Sequence, residues 1–143
     1  MHAILLATDG TAASQAATRH AVGLARDAGA VLHVLAVRPA AFFGIGGPTF
    51  VTRLEEVHAA RSVARETAVA AEAEGIEAWA HDIEGTDAGA IVAMAVDLAV
   101  DLIVVGCRDE DAAGRGHAGS VSRALVEQSP VAVTVVPAAA ALH

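Results

Sequence analysis

The chain has 143 residues, enough for one domain that hides roughly two-thirds of its unfolded surface. Hydrophobic residues make up 55% but aromatic ones only 3%, so the core must be built from Val, Ile, Leu and Ala, which suits a layered α/β sandwich. Seventeen acids against nine basic residues argue against a nucleic-acid partner, because neutralising phosphates needs clustered Lys and Arg.

Strand and helix patterns alternate from end to end. Residues 2–8 form a short apolar run closed by Asp9-Gly10, read as strand one rather than as a leader peptide, since no basic region precedes it. Residues 11–28 place Ala13, Ala17, Ala21, Leu24 and Ala28 near helical spacing and stop at Gly29, a suitable helix C-cap. The apolar run 30–37, closed by Arg38-Pro39, is strand two. Residues 40–49 gather two Phe, three Gly and one Pro and read as a connection. A long helix over 50–74 carries Leu54, Val57, Ala64, Ala68 and Ala71 on one stripe and ends at Gly75.

Strand three, 76–83, is less apolar than the others and is expected near a sheet edge. Thr86 can cap a helix over 87–99, with Asp87 favourable in its first turn. Asp101 then opens strand four, 102–106, whose Leu-Ile-Val-Val run has the look of a strand buried on both faces. A Gly-containing loop spans 107–118, a short helix spans 119–129, Pro130 stops it, and 131–136 is strand five. The longest apolar stretch, 88–106, is interrupted by Asp97 and Asp101, so no membrane span is expected. Five strands alternating with helices imply a single-domain, doubly wound five-stranded parallel sheet with helices on both faces.

All nine basic residues are Arg. Without Lys, a Walker A loop and Schiff-base chemistry are both excluded. The single cysteine, Cys107, allows no internal disulfide and no Cys-x-x-Cys site, which fits a reducing, cytoplasmic setting. No Ser-His-Asp or Cys-His pairing follows from the spacings, and Gly-x-Ser-x-Gly is absent. His81, Asp82, Glu84 and Asp87 lack a recurrent ligand spacing and read as a solvated edge. His33 reads as a strand residue with a local hydrogen bond.

Open parallel sheets bind ligands beyond the carboxyl ends of their strands, where strand order reverses. Two loops have suitable chemistry, the one after Thr8 and the one from Gly106 to Ser120. Both run into helix N-termini, whose free N–H groups favour anions. Within the second loop Gly114-Arg-Gly-His-Ala-Gly119 spells Gly-x-Gly-x-x-Gly. It starts too far past the strand for a dinucleotide fingerprint, and no acid follows about 20 residues on.

The segments Ile4-Leu-Leu-Ala-Thr-Asp-Gly-Thr-Ala-Ala-Ser14, Leu32-His-Val34, Val100-Asp-Leu-Ile-Val-Val-Gly106, Gly119-Ser-Val-Ser122 and Pro130-Val-Ala-Val-Thr-Val-Val-Pro137 resemble those of universal stress proteins, in register over nearly the whole chain. The resemblance implies a Rossmann-like fold of the adenine nucleotide α-hydrolase kind. It also implies a site for ATP or AMP, with Mg as an accompanying ion. That site would comprise Ala7, Thr8, Asp9, Val34, Gly106, Arg108, Gly119, Ser120, Val121 and Ser122.

ATP-binding members carry Gly, two residues, Gly, nine residues, then Gly-Ser/Thr. Here Gly106 and Gly119-Ser120 match at the right spacing, but Asp109 stands at the middle glycine and Glu110 and Asp111 follow. One carboxylate about 6 Å from a phosphate costs on the order of 2–3 kcal/mol at an effective dielectric near 20; Arg108 and Arg115 offset part of this.

The expected function is stress-response sensing through an adenine nucleotide, with any hydrolysis slow and incidental. The alternative is an interaction module without nucleotide that works as a dimer. Strand five is too apolar for an open edge, so a homodimer through Val131, Val133 and Val135 is expected, and the resemblance implies the same.

Overall fold

A computed structural model describes residues 1–9, 14–37, 50–83, 88–107 and 119–137. The elements, in order, are β1 (Ala3–Thr8), α1 (Gln15–Ala28), β2 (Val31–Val37), α2 (Phe50–Ala73), β3 (Ala78–Ile83), α3 (Ala88–Asp97), β4 (Leu102–Cys107), α4 (Gly119–Gln128) and β5 (Ala132–Pro137). The strands form one sheet in the order β3-β2-β1-β4-β5, and each neighbouring pair is parallel.

Strand alternation sorts the sheet's side chains into two cores. Ile4 and Leu6 of β1, Leu32 and Val34 of β2, and Leu102 and Val104 of β4 face α1 and α2. Leu5, Leu35, Ile103 and Val105 face α3 and α4. The central strand β1 is buried along its whole length, as a strand covered on both faces must be.

The two helical layers meet the sheet differently. Toward it α1 presents Ala16, Ala17, Ala21 and Ala25, and α2 presents Ala64, Ala68 and Ala71. Val22 and Leu24 of α1 pack beside them, partly buried. The other layer interposes larger groups, Ile91 from α3 and Leu125 from α4. Each is buried to within 1%, worth about 1.5–3 kcal/mol apiece.

Helix ends follow local chemistry. Gly29 takes the left-handed conformation, φ 66°, and the N–H groups of Gly29 and Ala30 both reach the Ala25 carbonyl. Gly75, φ 86°, follows α2, and Ile76 N–H bonds to the Ala71 carbonyl. After α3 the same turn falls on Ala99, φ 55°, with Val100 N–H bonded to the Ala95 carbonyl.

Several sequence-based boundaries shift. The first helix begins at Gln15 with Ser14 as N-cap, and its inward stripe ends at Ala25 rather than at exposed Ala28. The third strand starts at Ala78, because Ile76 is occupied in closing the α2 turn. The expected cap Thr86 and first-turn Asp87 lie outside the described residues.

The start of β1 is tied to β4. One Asp101 carboxylate oxygen accepts the N–H groups of His2 at 2.6 Å and Ala3 at 3.0 Å, and the Asp101 N–H bonds to the Ala3 carbonyl at 2.8 Å. The two donors hold the Asp101 carboxyl below the ordinary carboxylate range.

Candidate functional site

The helix after β1 packs on one face of the sheet and the helix after β4 on the other. The neighbouring strands β1 and β4 thus send their connections in opposite directions, and a crevice opens at their carboxyl ends. Ala7 stands opposite Val105 in the ladder, so Thr8 and Gly106 are the next positions at the crevice floor.

Three sequence-derived candidates come from β1. Ala7 is buried against the α3/α4 core. Thr8 is 3% exposed, and its hydroxyl lies 2.8 Å from that of Ser14. Asp9 follows at the surface. The Thr8–Ser14 pair closes the strand end onto α1, and Thr18 adds a bond from its hydroxyl to the Ser14 carbonyl. Ser14 makes no side-chain cap bond to its own helix; it bonds instead to Thr8. Its role was missed from the sequence because a serine there reads equally as a simple cap.

Gly106 is half-buried at the end of β4, opposite Val136 of β5. Its missing side chain leaves backbone accessible at the crevice. Gly119 and Ser120 open α4, where the first-turn N–H groups have no helical acceptor. Val121 packs partly into the α3/α4 core. Ser122 is 5% exposed and engaged within the protein. Val34 is fully buried in the α1/α2 core, so its surroundings here are those of ordinary packing. Arg108 lies outside the described residues, as do Asp109, Glu110, Asp111 and Arg115.

The described grooves lie elsewhere. One runs between α1 and α2, flanked by Arg19, Arg26, Glu66 and Glu74; Arg26 and Glu74 pair across it at 2.8 Å. The other follows α2 and β3 past Val69 and Trp79.

At the far edge, Glu84 and Asp87 lie outside the described residues. Asp82 pairs with Arg61 of α2 at 3.0 Å, while His33 Nδ1 lies 3.0 Å from His81 Nε2. The expected local bond of His33 therefore crosses to the neighbouring strand. Among the described residues no group of three or more His, Cys, Asp or Glu could hold a metal, and no helix is long and apolar enough to cross a membrane.

Known structures share this architecture. A universal stress protein from Burkholderia pseudomallei superposes with a TM-score of 0.75 at 23% identity, over 94% of this chain and 95% of that one. A universal stress protein from Archaeoglobus fulgidus in complex with dAMP gives 0.67 at 21%, over 95% and 98%. A universal stress protein in complex with cAMP gives 0.69 at 22%, over 94% and 96%. No curated protein matches at the level of sequence. The universal stress protein family nevertheless matches residues 1–137, and the chain belongs to that family.

Proposed function

We propose that this protein senses an adenine nucleotide in the crevice between the carboxyl ends of β1 and β4, acting as a stress-response regulator rather than a catalyst. The observation that supports the reading is that α1 and α4 leave adjacent strands for opposite faces of the sheet, the arrangement in which open parallel sheets bind ligands beyond the strand ends. A side-chain-free Gly106 and the N-terminal end of α4 suit a phosphate. Two relatives with this fold hold cAMP and dAMP. In this reading Asp9 accepts a hydrogen bond from the nucleoside and Ser120 donates one to phosphate. Any hydrolysis is slow and incidental.

Asp109, Glu110 and Asp111 favour a ligand with few phosphates, so AMP binds more tightly than ATP. Calorimetric titration of both nucleotides into the wild type and into Asp109→Gly tests this. Micromolar AMP binding, with ATP tightening in the variant, is the expected result. No heat from either nucleotide overturns the reading and favours the interaction module. For that alternative the relevant feature is β5, an edge strand whose Val133 and Val135, with Val131 just before it, are only half-buried, available for a second copy to cover.

A further inference from the structure

Around the β2–β3 end, the face of the sheet that carries α3 and α4 is thinly covered. Trp79 is 54% exposed there, and His33 and His81 are half-buried. In the parallel ladder His33 stands opposite Trp79, and Leu35 opposite His81. The two histidines are therefore diagonal neighbours on adjacent strands with side chains on one face, a spacing that long side chains can bridge. Their rings lie 5.2 Å apart between centroids and are tilted by 37°, and the facing nitrogens are 3.0 Å apart.

We propose that His33 and His81 form a two-imidazole chelate for a borderline divalent transition-metal ion, of the class of Ni(II), Cu(II) or Zn(II). Metal–nitrogen bonds of 2.0–2.1 Å enclosing a right angle separate their nitrogens by about 2.9 Å, and a tetrahedral angle separates them by about 3.4 Å. The observed 3.0 Å lies between, near the cis arrangement of a square-planar or octahedral ion. Turning each ring by roughly 35–45° points its near nitrogen at a common ion rather than at the other ring. The N–H proton now shared between the rings moves through water to the outward nitrogen of the same ring, so each imidazole stays neutral. Water completes the coordination, because no third His, Cys, Asp or Glu joins the pair among the described residues.

The surroundings favour a cation over protons. Burial, with the neighbouring His81, lowers the His33 pKa, and burial lowers that of His81, which favours the neutral rings that a metal ion needs. Glu77 and Asp82 add negative potential at His33 and His81 respectively. Glu77 also accepts the Trp79 indole N–H at 2.8 Å, and Arg61 partly offsets Asp82. Metal binding competes with protonation of both rings and weakens on acidification through the imidazole range.

Trp79 is the only tryptophan and lies beside the site, so it reports occupancy directly. Ni(II), whose open d shell quenches a nearby indole, is titrated into the full chain at pH 7.5 while fluorescence is followed. The expected result is saturable quenching at one ion per chain, reversed by a chelator and by Zn(II), whose filled d shell does not quench. His33→Ala and His81→Ala each raise the half-saturating concentration at least about tenfold. His81→Asn retains a hydrogen-bonding side chain, preserving the edge strand if the alanine variant unfolds, and loses the metal equally. His2→Ala leaves the curve unchanged, which separates this pair from chelation by the terminal amine and His2. Non-saturating quenching, quenching that survives His81→Asn, or quenching abolished by His2→Ala overturns the proposal.

Discussion

Leu125 and Val126 are consecutive in α4, yet one is fully buried in the α3/α4 core and the other is 59% exposed. Truncating each to alanine therefore separates packing from chemical type. Leu125→Ala deletes three carbon atoms, about 2.4 kcal/mol of transfer free energy at ~0.8 kcal/mol per methylene. Ile91, Val105 and Ile103 belong to the same cluster, and a rigid sheet below allows little collapse into the void. A residual cavity adds about 1–2 kcal/mol, for a total of about 3–4 kcal/mol, inside the usual 2–5 range for such changes. Val126→Ala exposes nothing new and, with alanine the better helix former, lies within about 0.5 kcal/mol of zero. Urea unfolding followed by far-UV circular dichroism measures both. The midpoint should fall sharply for Leu125→Ala with an unchanged m-value, and hardly at all for Val126→Ala. Similar losses in the two variants would refute the assignment of α4's inward face.

Two further outcomes follow from backbone features. Ala99 at φ 55° sits in a conformation that costs an L-residue about 1–2 kcal/mol, partly offset in glycine by about 0.5–1 kcal/mol of chain entropy. Ala99→Gly should therefore raise the melting temperature by about 1–4 °C; a decrease would show that the alanine methyl packs favourably there. Asp101 has its carboxyl held below the ordinary value of 3.8 by the His2 and Ala3 amides. Its stabilisation is thus complete above that value and lost as pH falls through the lower folded one. Asp101→Asn should lower the melting temperature at pH 7, and the gap to wild type should close in strong acid. A gap independent of pH would mean that the charge is irrelevant.

The fold was legible because burial on both faces leaves a plain mark. The Leu-Ile-Val-Val of β4 and the uninterrupted run of β1 can only be interior strands. The polar Glu77, His81 and Asp82 placed β3 at an edge, where the sheet order has it. Gly29 and Gly75 marked helix ends because their left-handed turns favour a residue without Cβ. Ala99 makes the same turn without that signature, so the third helix read two residues too long. Helix starts were less visible: the first helix was read from residue 11, and the Ser14 hydroxyl at its N-cap bonds to Thr8 rather than to its own helix.

At the candidate site, the floor around Thr8 and Gly106 could be placed from the sequence, since it follows from where strands end. The loop from Arg108 to Ala118, which the sequence reading set against a phosphate, lies outside the described residues. At the far edge the sequence grouped His81 with its chain neighbours, whereas its partner His33 is 48 residues away. Only strand pairing brings those two together, and local spacing carries no trace of it.

The clasp between Asp101 and the start of β1 joins positions 99 residues apart, and this has a consequence for the order in which the molecule is made. The central strand is synthesised first. Its partner β2 follows after about thirty residues, but β4 reaches its other side only when most of the chain exists. Closing the longer loop costs about 1 kcal/mol more than the shorter one, and the delay matters as much as the energy. Throughout synthesis of α2, β3 and α3, the strand that ends as the most enclosed has one unpaired side. Any half-sheet of β1, β2 and β3 formed before then has Ile4-Leu5-Leu6 as its open edge. Arrival of β4 is the event that ends its vulnerability to pairing with the wrong chain.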